Sequence, residues 1–502
     1  MKNGTERFLE FARKTALLCF SVFAILFFIA NVFFTVRQYN TGDFYKADYQ
    51  LISLRNILVT LLLLAALHLL HRKKIGNSKI LLAVFLAVSL LIGIYWIRSN
   101  VTYLVTQDDA MNVMNTAQAV ALGDLTPLSY QSYINTYPNN LGLMSWFLLF
   151  TRPFGEYANT YIRLVNLLFC LAGYAALYGI SDLLFEDERV NYLLACFFFL
   201  QLQFVFYCYF IYGNAVSYAS GMIGIWGLLL YLRKGKKAGL LINAFFLTLS
   251  IFIKNNSLIL LVAELIFLFL HLLKEKKKLL IGYMAALLLL TWAGTSGVVR
   301  YWEERSGNNY DNRLPKIAWI AYGLNYEMYH PGSYTPEIED YYKQEGWSAE
   351  AAQLYAEDFI ERILDDFRRE PAKALTFYSR KFRVAFANPE YEAFAQYREL
   401  PVTETNQLII SGWINDAANE IWDAASSLIA LGTLIFVASY RKKKDLTVLL
   451  PAVIVLGGFL FHAFWEVKAI YLYQYHLFLL PYAAYGLSCL FRSTGKTKMV
   501  KY

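Results

Sequence analysis

Residues 80–109 read ILLAVFLAVSLLIGIYWIRSNVTYLVTQDD, an apolar run followed by a polar segment that ends in two aspartates. The apolar part, Ile80–Ile97, is of the order that a helix needs to cross a bilayer, about 20 residues. A carboxylate is expensive in hydrocarbon, so Asp108 and Asp109 must face water or a binding site. This stretch therefore predicts a membrane-spanning helix that leads into an acidic loop.

The whole chain repeats the apolar part of this pattern. Its 502 residues are 57% hydrophobic and 17% charged, with a mean hydropathy of +0.38, which is too apolar for an ordinary soluble protein. We predict an all-α polytopic membrane protein with about twelve transmembrane helices. The candidate spans are Lys14–Val36, Ile57–His71, Ile80–Ile97, Thr160–Phe185, Asn191–Ile211, Asn214–Leu232, Gly239–Ile253, Ser257–Leu273, Leu279–Gly297, Ile421–Tyr440, Leu446–Trp465 and Ala469–Phe491.

Composition also argues against several classes of protein. The five cysteines all lie in apolar segments, so they do not indicate a disulfide-stapled outer domain, and no Cys/His spacing typical of a metal site occurs. The net charge of +8 comes from basic clusters between spans, which argues against nucleic acid as a partner. The first apolar run is long and lacks a small-residue cleavage site, which is typical of a signal anchor.

The basic clusters predict the topology, because positive loops stay in the cytoplasm. They lie around residues 13–14, 72–74, 233–237, 274–278, 441–444 and 492–498. Three crossings then place Arg98–Tyr137 outside. An odd number of crossings must separate this loop from Arg233, so the shortest apolar stretch, Leu141–Phe154, is predicted to be an interfacial helix. Both termini are expected in the cytoplasm.

The same topology divides the chain into four regions. Residues 1–79 form a two-span extension, and residues 80–297 form a transmembrane core with the acidic outer loop 98–159. Residues 298–420 are predicted to form a small, mainly helical extracytoplasmic domain, and residues 421–502 form three final spans. Within the domain, Ser348 predicts a capped helix through Phe367, and Pro371 predicts the start of a second helix toward Phe386.

Asp108 and Asp109 are the first candidates for chemistry. One carboxylate would serve as the general base for an acceptor hydroxyl, with its neighbour orienting it or binding a cation. The alternative is a solvated loop or an N-cap for the helix that begins near Ala110. The amphipathic stretch from Ala110 to Gly123 favours the functional interpretation, since it suits a helix at the membrane surface.

Further polar residues occur at the predicted outer ends of spans. The turn Tyr137-Pro138-Asn139-Asn140 either presents amides toward a sugar or caps the next helix. Arg163 either holds a lipid-linked phosphate or anchors its span among the headgroups. Lys254 contradicts the positive-inside pattern at the tip of a short hairpin, which favours a role as a phosphate ligand.

The last predicted outer loop supplies a third set of polar residues. Glu466 and Lys468 lie close to Tyr471 and other aromatic residues. Together they would bind a sugar or a pyrophosphate. The alternative is a salt bridge at the rim of an aromatic belt.

This order of features resembles the GT-C superfamily of integral membrane glycosyltransferases, particularly its protein O-mannosyltransferase and aminoarabinose-transferase branch. The resemblance is good over residues 102–273 and looser in the C-terminal third. It departs from the family in its two additional N-terminal spans and in its Tyr-Pro-Asn-Asn turn, where much of the branch has a Lys-Pro-Pro-like turn. The residues that carry it are Gln107-Asp108-Asp109, Asn112–Gly123, Tyr137–Gly142, Phe154-Gly155, Arg163-Leu164 and Lys254, with Pro481 in the last span after Glu466 and Tyr471.

The resemblance implies a polyprenyl-phosphate-linked sugar as donor and an inverting transfer, with Asp108 or Asp109 as base and Arg163 and Lys254 on the phosphate. The acceptor would be a cell-envelope glycan, lipid or protein. Metal use varies across the superfamily, which leaves a divalent cation, Mg or Mn, as an open cofactor. We expect a bacterial plasma membrane with the active site facing outside.

Two other functions fit a chain with many spans. A transporter or lipid-sugar flippase usually places polar residues at the bilayer midplane on broken helices, where this chain is sparse. A polysaccharide polymerase or ligase would use arginines in the large late loop, where this chain has Arg300, Arg305, Arg313, Arg380 and Arg383. The early pair of aspartates is the feature that favours a glycosyltransferase over both.

Overall fold

A computed structural model of the protein describes residues 4–40, 45–73, 76–99, 108–326, 330–394, 412–441 and 443–493, apart from the side chains of residues 39, 40, 45, 108 and 493. The described residues form twenty α-helices, numbered α1 to α20 in chain order. These are Gly4–Phe33, Leu54–Lys73, Ser78–Ser99, Asp108–Ala121, Tyr133–Thr136, Leu141–Phe154, Ala158–Phe185, Glu188–Leu200, Gln203–Phe206, Asn214–Lys234, Ala238–Ile253, Leu258–Glu275, Lys278–Ser306, Ile317–Leu324, Pro336–Gln344, Ala349–Arg369, Pro371–Phe386, Trp413–Tyr440, Leu450–Phe464 and Ala469–Ser493. Strands β1 and β2 are Phe34–Asn40 and Tyr45–Leu51.

Nine helical stretches in the described part of the chain are long and apolar enough to cross a membrane. They are Gly4–Phe33, Leu54–Lys73, Ser78–Ser99, Pro138–Phe185, Asn214–Lys234, Asn255–Glu275, Lys278–Ser306, Trp413–Tyr440 and Thr447–Phe464. Ala238–Ile253 is a further, shorter apolar helix. The prediction of a mainly helical polytopic membrane protein is thereby confirmed.

One predicted span is broken. The apolar stretch Asn191–Ile211 was expected to be a single helix, but α8 ends at Leu200, α9 has only four residues, and the chain stays irregular as far as Gly213. Partners from distant segments satisfy polar groups at the break: Tyr174 donates to the Gln201 carbonyl, and Gln203 Nε2 donates to the Pro389 carbonyl at 2.8 Å. Such tertiary hydrogen bonds are invisible in hydropathy, which explains the error.

The predicted first span also ends early, because the helix ends at Phe33 and residues 34–40 pair with residues 45–51 as the antiparallel strands β1 and β2 of a hairpin. Thr35 donates to the Asp423 carboxylate at 2.7 Å, Arg37 forms an ion pair with the same carboxylate, and Asn56 donates to it at 2.9 Å. The hairpin therefore ties α1 and α2 to α18. The alternating residues and the Asn40-Thr-Gly-Asp turn were a signal for it.

Helices α14 to α17 form a cluster with a core of its own, which includes Leu314, Tyr322, Ile338, Phe359 and Phe377. As predicted, α16 begins after an N-cap at Ser348, whose side chain accepts from the Ala351 N–H at 3.1 Å, and α17 begins at Pro371.

The end of α17 leaves this cluster. The Phe386 ring lies 5.2 Å from the Phe23 ring of α1, and Tyr391 and Phe394 are buried in the main core of the helical bundle. The described residues between 298 and 394 thus contribute to several cores, while residues 395–411 lie outside the described part of the chain.

Candidate active site

A polar cavity of about 660 Å³ lies where the α4–α6 segment, the turn between α11 and α12, the α14–α15 segment and the loop between α19 and α20 meet. Amides, aromatic rings and charged groups line it. The lining residues are Asp109, Asn112, Tyr133, Tyr137, Asn139, Asn140, Tyr212, Asn214, Tyr218, Ile253, Lys254, Asn255, Asn256, Ser257, Trp319, Tyr322, Tyr334, Pro336, Glu339, Trp465, Glu466, Lys468 and Tyr471. We refer to this space as the polar cavity.

Tyr212 connects a carboxylate and an ammonium group in the polar cavity. Its hydroxyl donates to Asp109 Oδ2 at 3.2 Å. The Lys254 Nζ atom lies 3.2 Å from the centroid of the Tyr212 ring, a cation–π contact that is favourable where water is excluded. A single side chain therefore fixes the positions of the acidic and the basic group.

Gly213 makes this arrangement possible. Its φ of +81° belongs to the left-handed region that favours glycine. A Cβ atom here would lie 2.7 Å from Ile253 Cγ2 and 2.9 Å from Leu143 Cδ1. The chain therefore turns sharply at Gly213 and presents Tyr212 and Asn214 to the same cavity.

Lys254 is held at the break between α11 and the 3₁₀ turn Asn255–Ser257, where its backbone is extended. Three serines fix this turn: Ser250 Oγ donates to Ser257 Oγ at 2.8 Å, and the Ser217 and Ser257 hydroxyls lie 3.0 Å apart. Burial lowers the pKa of Lys254 from 10.5 to about 7, against the opposing effect of the Asp109 carboxylate. An anionic ligand in the cavity would favour the charged form.

Glu466 and Lys468 enter the polar cavity from the loop between α19 and α20. The Glu466 N–H donates to the Trp319 carbonyl at 3.1 Å, which ties this loop to α14. Burial raises the pKa of Glu466, Lys468 opposes this shift, and the Asp109 carboxylate adds to it. The negative charge of Asp109 therefore makes it harder for Glu466 to lose its proton.

A further acid of the polar cavity, Glu339, binds the Tyr137 hydroxyl. Its Oε2 accepts from the Tyr137 hydroxyl at 2.5 Å and from the Tyr334 hydroxyl at 2.7 Å, and its Oε1 pairs with Lys343 at 2.6 Å. Burial raises the pKa of Glu339, but these three partners together bring it below its usual value. With so many partners, Glu339 serves to hold Tyr137 in place.

Two tryptophans provide an apolar surface in this polar setting. The Trp319 and Trp465 rings are stacked with their centroids 6.2 Å apart and an interplanar angle of 12°. The edge of Tyr137 meets the Trp319 ring at 5.9 Å. Aromatic faces of this kind bury the C–H face of a sugar ring, while polar neighbours bind its hydroxyls.

Most of the residues expected from the sequence meet in this one place, although they come from three separate segments. The polar cavity is lined by Asp109, Tyr137, Asn139, Asn140, Lys254, Glu466, Lys468 and Tyr471. Asp108 is the first residue of α4, but its side chain lies outside the part of the structure that is described.

Arg163 is the exception among the expected residues. It is 1% exposed and does not line the polar cavity. Its Nε donates to the Tyr209 carbonyl at 3.3 Å, and its guanidinium carbon lies 3.7 Å from the centroid of the Tyr209 ring. The position of Arg163 supports a role in holding the irregular segment after α9, not the expected contact with a phosphate.

Sequence reasoning missed several residues of the polar cavity. Tyr212, Asn214, Trp319, Glu339 and Trp465 were not among the candidates. The Tyr-Gly-Asn sequence at 212–214 was a usable signal, because a glycine between polar residues inside an apolar run marks a turn or a close approach.

No protein-family model, no curated protein and no solved structure matches this chain. The resemblance to GT-C glycosyltransferases therefore rests on the residues named above and stays a prediction.

The described residues contain no group of three or more His, Cys, Asp or Glu side chains placed to hold a metal ion. The carboxylates of the polar cavity have other partners: Asp109 is bonded to Tyr212, and Glu339 is paired with Lys343. We therefore assign no chemical step to a divalent cation.

Proposed function

We propose that the protein is a membrane glycosyltransferase that moves a sugar from a polyprenyl-phosphate donor to a cell-envelope acceptor. The observation that carries this proposal is the contact of Asp109 and Lys254 with the same tyrosine, inside a cavity that also holds a stacked tryptophan pair. A base, a buried cation and a sugar platform are the groups that such a transfer needs.

In the proposed reaction, the Asp109 carboxylate takes the proton of an acceptor hydroxyl. The acceptor oxygen forms a bond to the anomeric carbon as the bond from that carbon to the phosphate oxygen breaks. The electron pair of the broken bond stays on the phosphate, which leaves as polyprenyl phosphate. General base catalysis of this kind is worth about 10²–10⁴ in rate.

Lys254 and Lys468 would stabilise the leaving group. As the bond breaks, negative charge grows on the phosphate, and fixed cations stabilise that charge in the transition state. Lys254 is well placed for this because its ammonium group is buried against an aromatic ring, where an electrostatic contact is stronger than in water.

The topology that fits this function has about twelve crossings and both termini in the cytoplasm. In it, the polar cavity and the α14–α17 cluster lie on the outer side of a bacterial plasma membrane. The basic loops remain cytoplasmic. The segments that build the polar cavity lie at predicted outer ends of spans or, for α14–α15, in the predicted extracytoplasmic domain. A donor in the outer leaflet would then meet the cavity at headgroup level, and α14–α17 would cover it.

The two competing functions receive less support from the geometry. A polymerase or ligase that used the late arginines should bring them to its site, but Arg300, Arg305, Arg313, Arg380 and Arg383 do not line the polar cavity. A flippase or transporter should place its polar groups in mid-bundle. Glu264 is buried in α12 and accepts from Asn243 at 2.9 Å, but it does not line the cavity either.

The test uses purified protein in nanodiscs with a panel of radiolabelled undecaprenyl-phosphate sugars, and it follows sugar release to water or to cell-envelope extract. We expect release by the wild type and a loss of about 10²–10⁴-fold in Asp109→Asn with donor binding retained. Asp108→Asn is assayed alongside it. The matched control is Asp358→Asn, which changes an exposed acid on α16.

The outcomes separate the candidate functions. Unchanged release in Asp109→Asn refutes its assignment as base. Donor binding without turnover, in the wild type and with every extract, points to a flippase. The absence of any donor binding refutes the proposed function.

A further inference from the structure

Asn214, the first residue of α10, carries an unpaired buried carbonyl group. It is 1% exposed and lines the polar cavity. Within the described part of the chain, its Oδ1 atom has no hydrogen-bond partner. A buried acceptor without a donor is destabilising, and native proteins retain such groups mainly where a ligand or a function satisfies them.

The hydrogen bonds around Asn214 determine which end of its amide is free. Asn214 Nδ2 lies 2.9 Å from the Tyr218 hydroxyl oxygen, and the Tyr218 hydroxyl donates its only proton to the Ile470 carbonyl at 2.7 Å. The Tyr218 oxygen can therefore only accept from Asn214, which requires the NH₂ group on that side. The free atom is the carbonyl oxygen, and it needs a donor.

The surroundings of Asn214 identify the kind of donor. A phosphate diester offers no proton, so it cannot satisfy the Asn214 Oδ1 atom. The hydrogen-bond partner of Asn214, Tyr218, is neutral, and Ser217 of the same helix bonds to Ser257, a neutral residue of the turn that follows Lys254. Neutral groups of this type, beside aromatic rings, suit a polyol better than an amine or an acid.

We infer that Asn214 Oδ1 accepts a hydrogen bond from one ring hydroxyl of the transferred sugar, and that this sugar is neutral. The inference rests on the proposed function and deepens it by naming the substrate class and a residue that selects it. The stacked Trp319–Trp465 pair buries the apolar face of the ring, and Asn214 reads one hydroxyl at its edge.

The test compares the wild type, Asn214→Ala and Ser220→Ala. The probes are the undecaprenyl-phosphate esters of glucose, galactose and mannose, their single deoxy forms, one uronic acid and one amino sugar. Ser220→Ala is the matched control, because Ser220 is a buried, unpaired residue of the same helix that does not line the cavity. The transfer rate and the donor affinity are measured for each combination of protein and probe, and tryptophan fluorescence reports the binding.

We expect the wild type to favour one neutral hexose over one of its deoxy forms by about 100-fold or more, since a site built to bind a hydroxyl rejects the analogue that lacks it. Asn214→Ala should lose about 10–100-fold on the parent sugar and almost nothing on that deoxy form. Ser220→Ala should keep the wild-type preference, and melting temperatures measured in parallel separate misfolding from lost recognition.

Two results would overturn the inference while leaving the proposed function intact. In the first, transfer depends on Asp109, but Asn214→Ala discriminates between the parent sugar and each deoxy form by the same factor as the wild type. The other is a preference for the uronic acid or the amino sugar over every neutral hexose. If the wild type neither transfers nor binds any probe, the proposed function fails and this inference fails with it.

Discussion

The buried ammonium of Lys254 predicts that donor binding depends on pH in a way that can be assigned to one residue. Burial lowers its pKa to about 7 in the unliganded protein, and only the protonated form attracts the donor phosphate. That phosphate would favour the protonated lysine in the complex and raise its pKa there. Affinity should therefore be constant below pH 7 and weaken as the pH rises above 7.

The magnitude follows from the fraction of protonated lysine. At pH 6 about nine in ten lysines carry the proton, and at pH 9 about one in a hundred does, given a pKa of about 7. The dissociation constant should therefore rise about tenfold for each pH unit above 7, and about 100-fold by pH 9, as long as the lysine in the complex stays protonated. This corresponds to about 2.7 kcal/mol of binding free energy.

The assay is donor binding in nanodiscs from pH 6 to 9.5. Lys254→Arg should bind with little pH dependence because arginine stays charged, and Lys254→Met should bind weakly at every pH. Lys468→Met removes a second lysine of the same cavity, whose charge lowers the pKa of Lys254, so it should keep the pH dependence and shift its onset to higher pH. A Lys254→Met protein that keeps the wild-type slope would refute the reasoning.

The same lowered pKa affects the stability of the unliganded protein. The unfolded chain keeps the Lys254 proton up to a pKa near 10.5, whereas the folded chain releases it near 7. The unfolded state therefore binds more protons between these values, and the contribution of Lys254 to stability increases as the pH rises through this window. Compared with Lys254→Met, the wild type should gain melting temperature between pH 7 and 9.

Substitutions at three further positions test how the fold holds the site. Tyr212→Phe keeps the ring under Lys254 but loses the hydroxyl on Asp109, so it should lower transfer about tenfold with donor affinity retained, whereas Tyr212→Ala should lose both. Gly213→Ala places a side chain at φ +81° and should cost at least about 1–2 kcal/mol of stability and most of the activity. Asp423→Asn breaks the hairpin ion pair and should cost stability near the lower end of about 3–5 kcal/mol, because its arginine partner is partly exposed, with donor affinity unchanged.

Melting temperature, transfer rate and donor affinity are measured for each of these variants. Equal donor affinity in the Phe and Ala variants of Tyr212 would show that its ring does not support Lys254. A fully active Gly213→Ala protein would contradict the argument that the turn requires glycine. Donor affinity that falls in folded Asp423→Asn would show that the hairpin reaches the site.

Charged residues were the part of the site that the sequence made predictable. A charged residue in an apolar chain must lie at the end of a span or have a partner. A lysine that departs from the positive-inside pattern is therefore a candidate for a ligand-binding role. Lys254, Glu466 and Asp109 were found in this way from three distant segments. In the structure all three line the polar cavity.

Four aromatic and amide residues of the cavity, Tyr212, Asn214, Trp319 and Trp465, could not be found in the same way. The chain has 38 tyrosines and 10 tryptophans, so neither type stands out. The stacking of Trp319 on Trp465 accompanies a hydrogen bond from the Glu466 N–H to the Trp319 carbonyl. This tertiary hydrogen bond has no local signature. The break after Leu200 was missed for a similar reason, since distant partners satisfy its polar groups.

Arg163 and Lys254 show why a charge at a span end is not sufficient to identify a ligand site. Both follow the same sequence pattern, but Arg163 lies inside the continuous helix α7, whereas Lys254 lies at a break between two helices. From α7, Arg163 donates a hydrogen bond to the Tyr209 carbonyl and packs against the Tyr209 ring in the irregular 207–210 segment. Lys254 has an extended backbone at the end of α11, and its side chain lines the polar cavity. A cation that coincides with a predicted helix break is therefore the stronger sequence signal for an anion site.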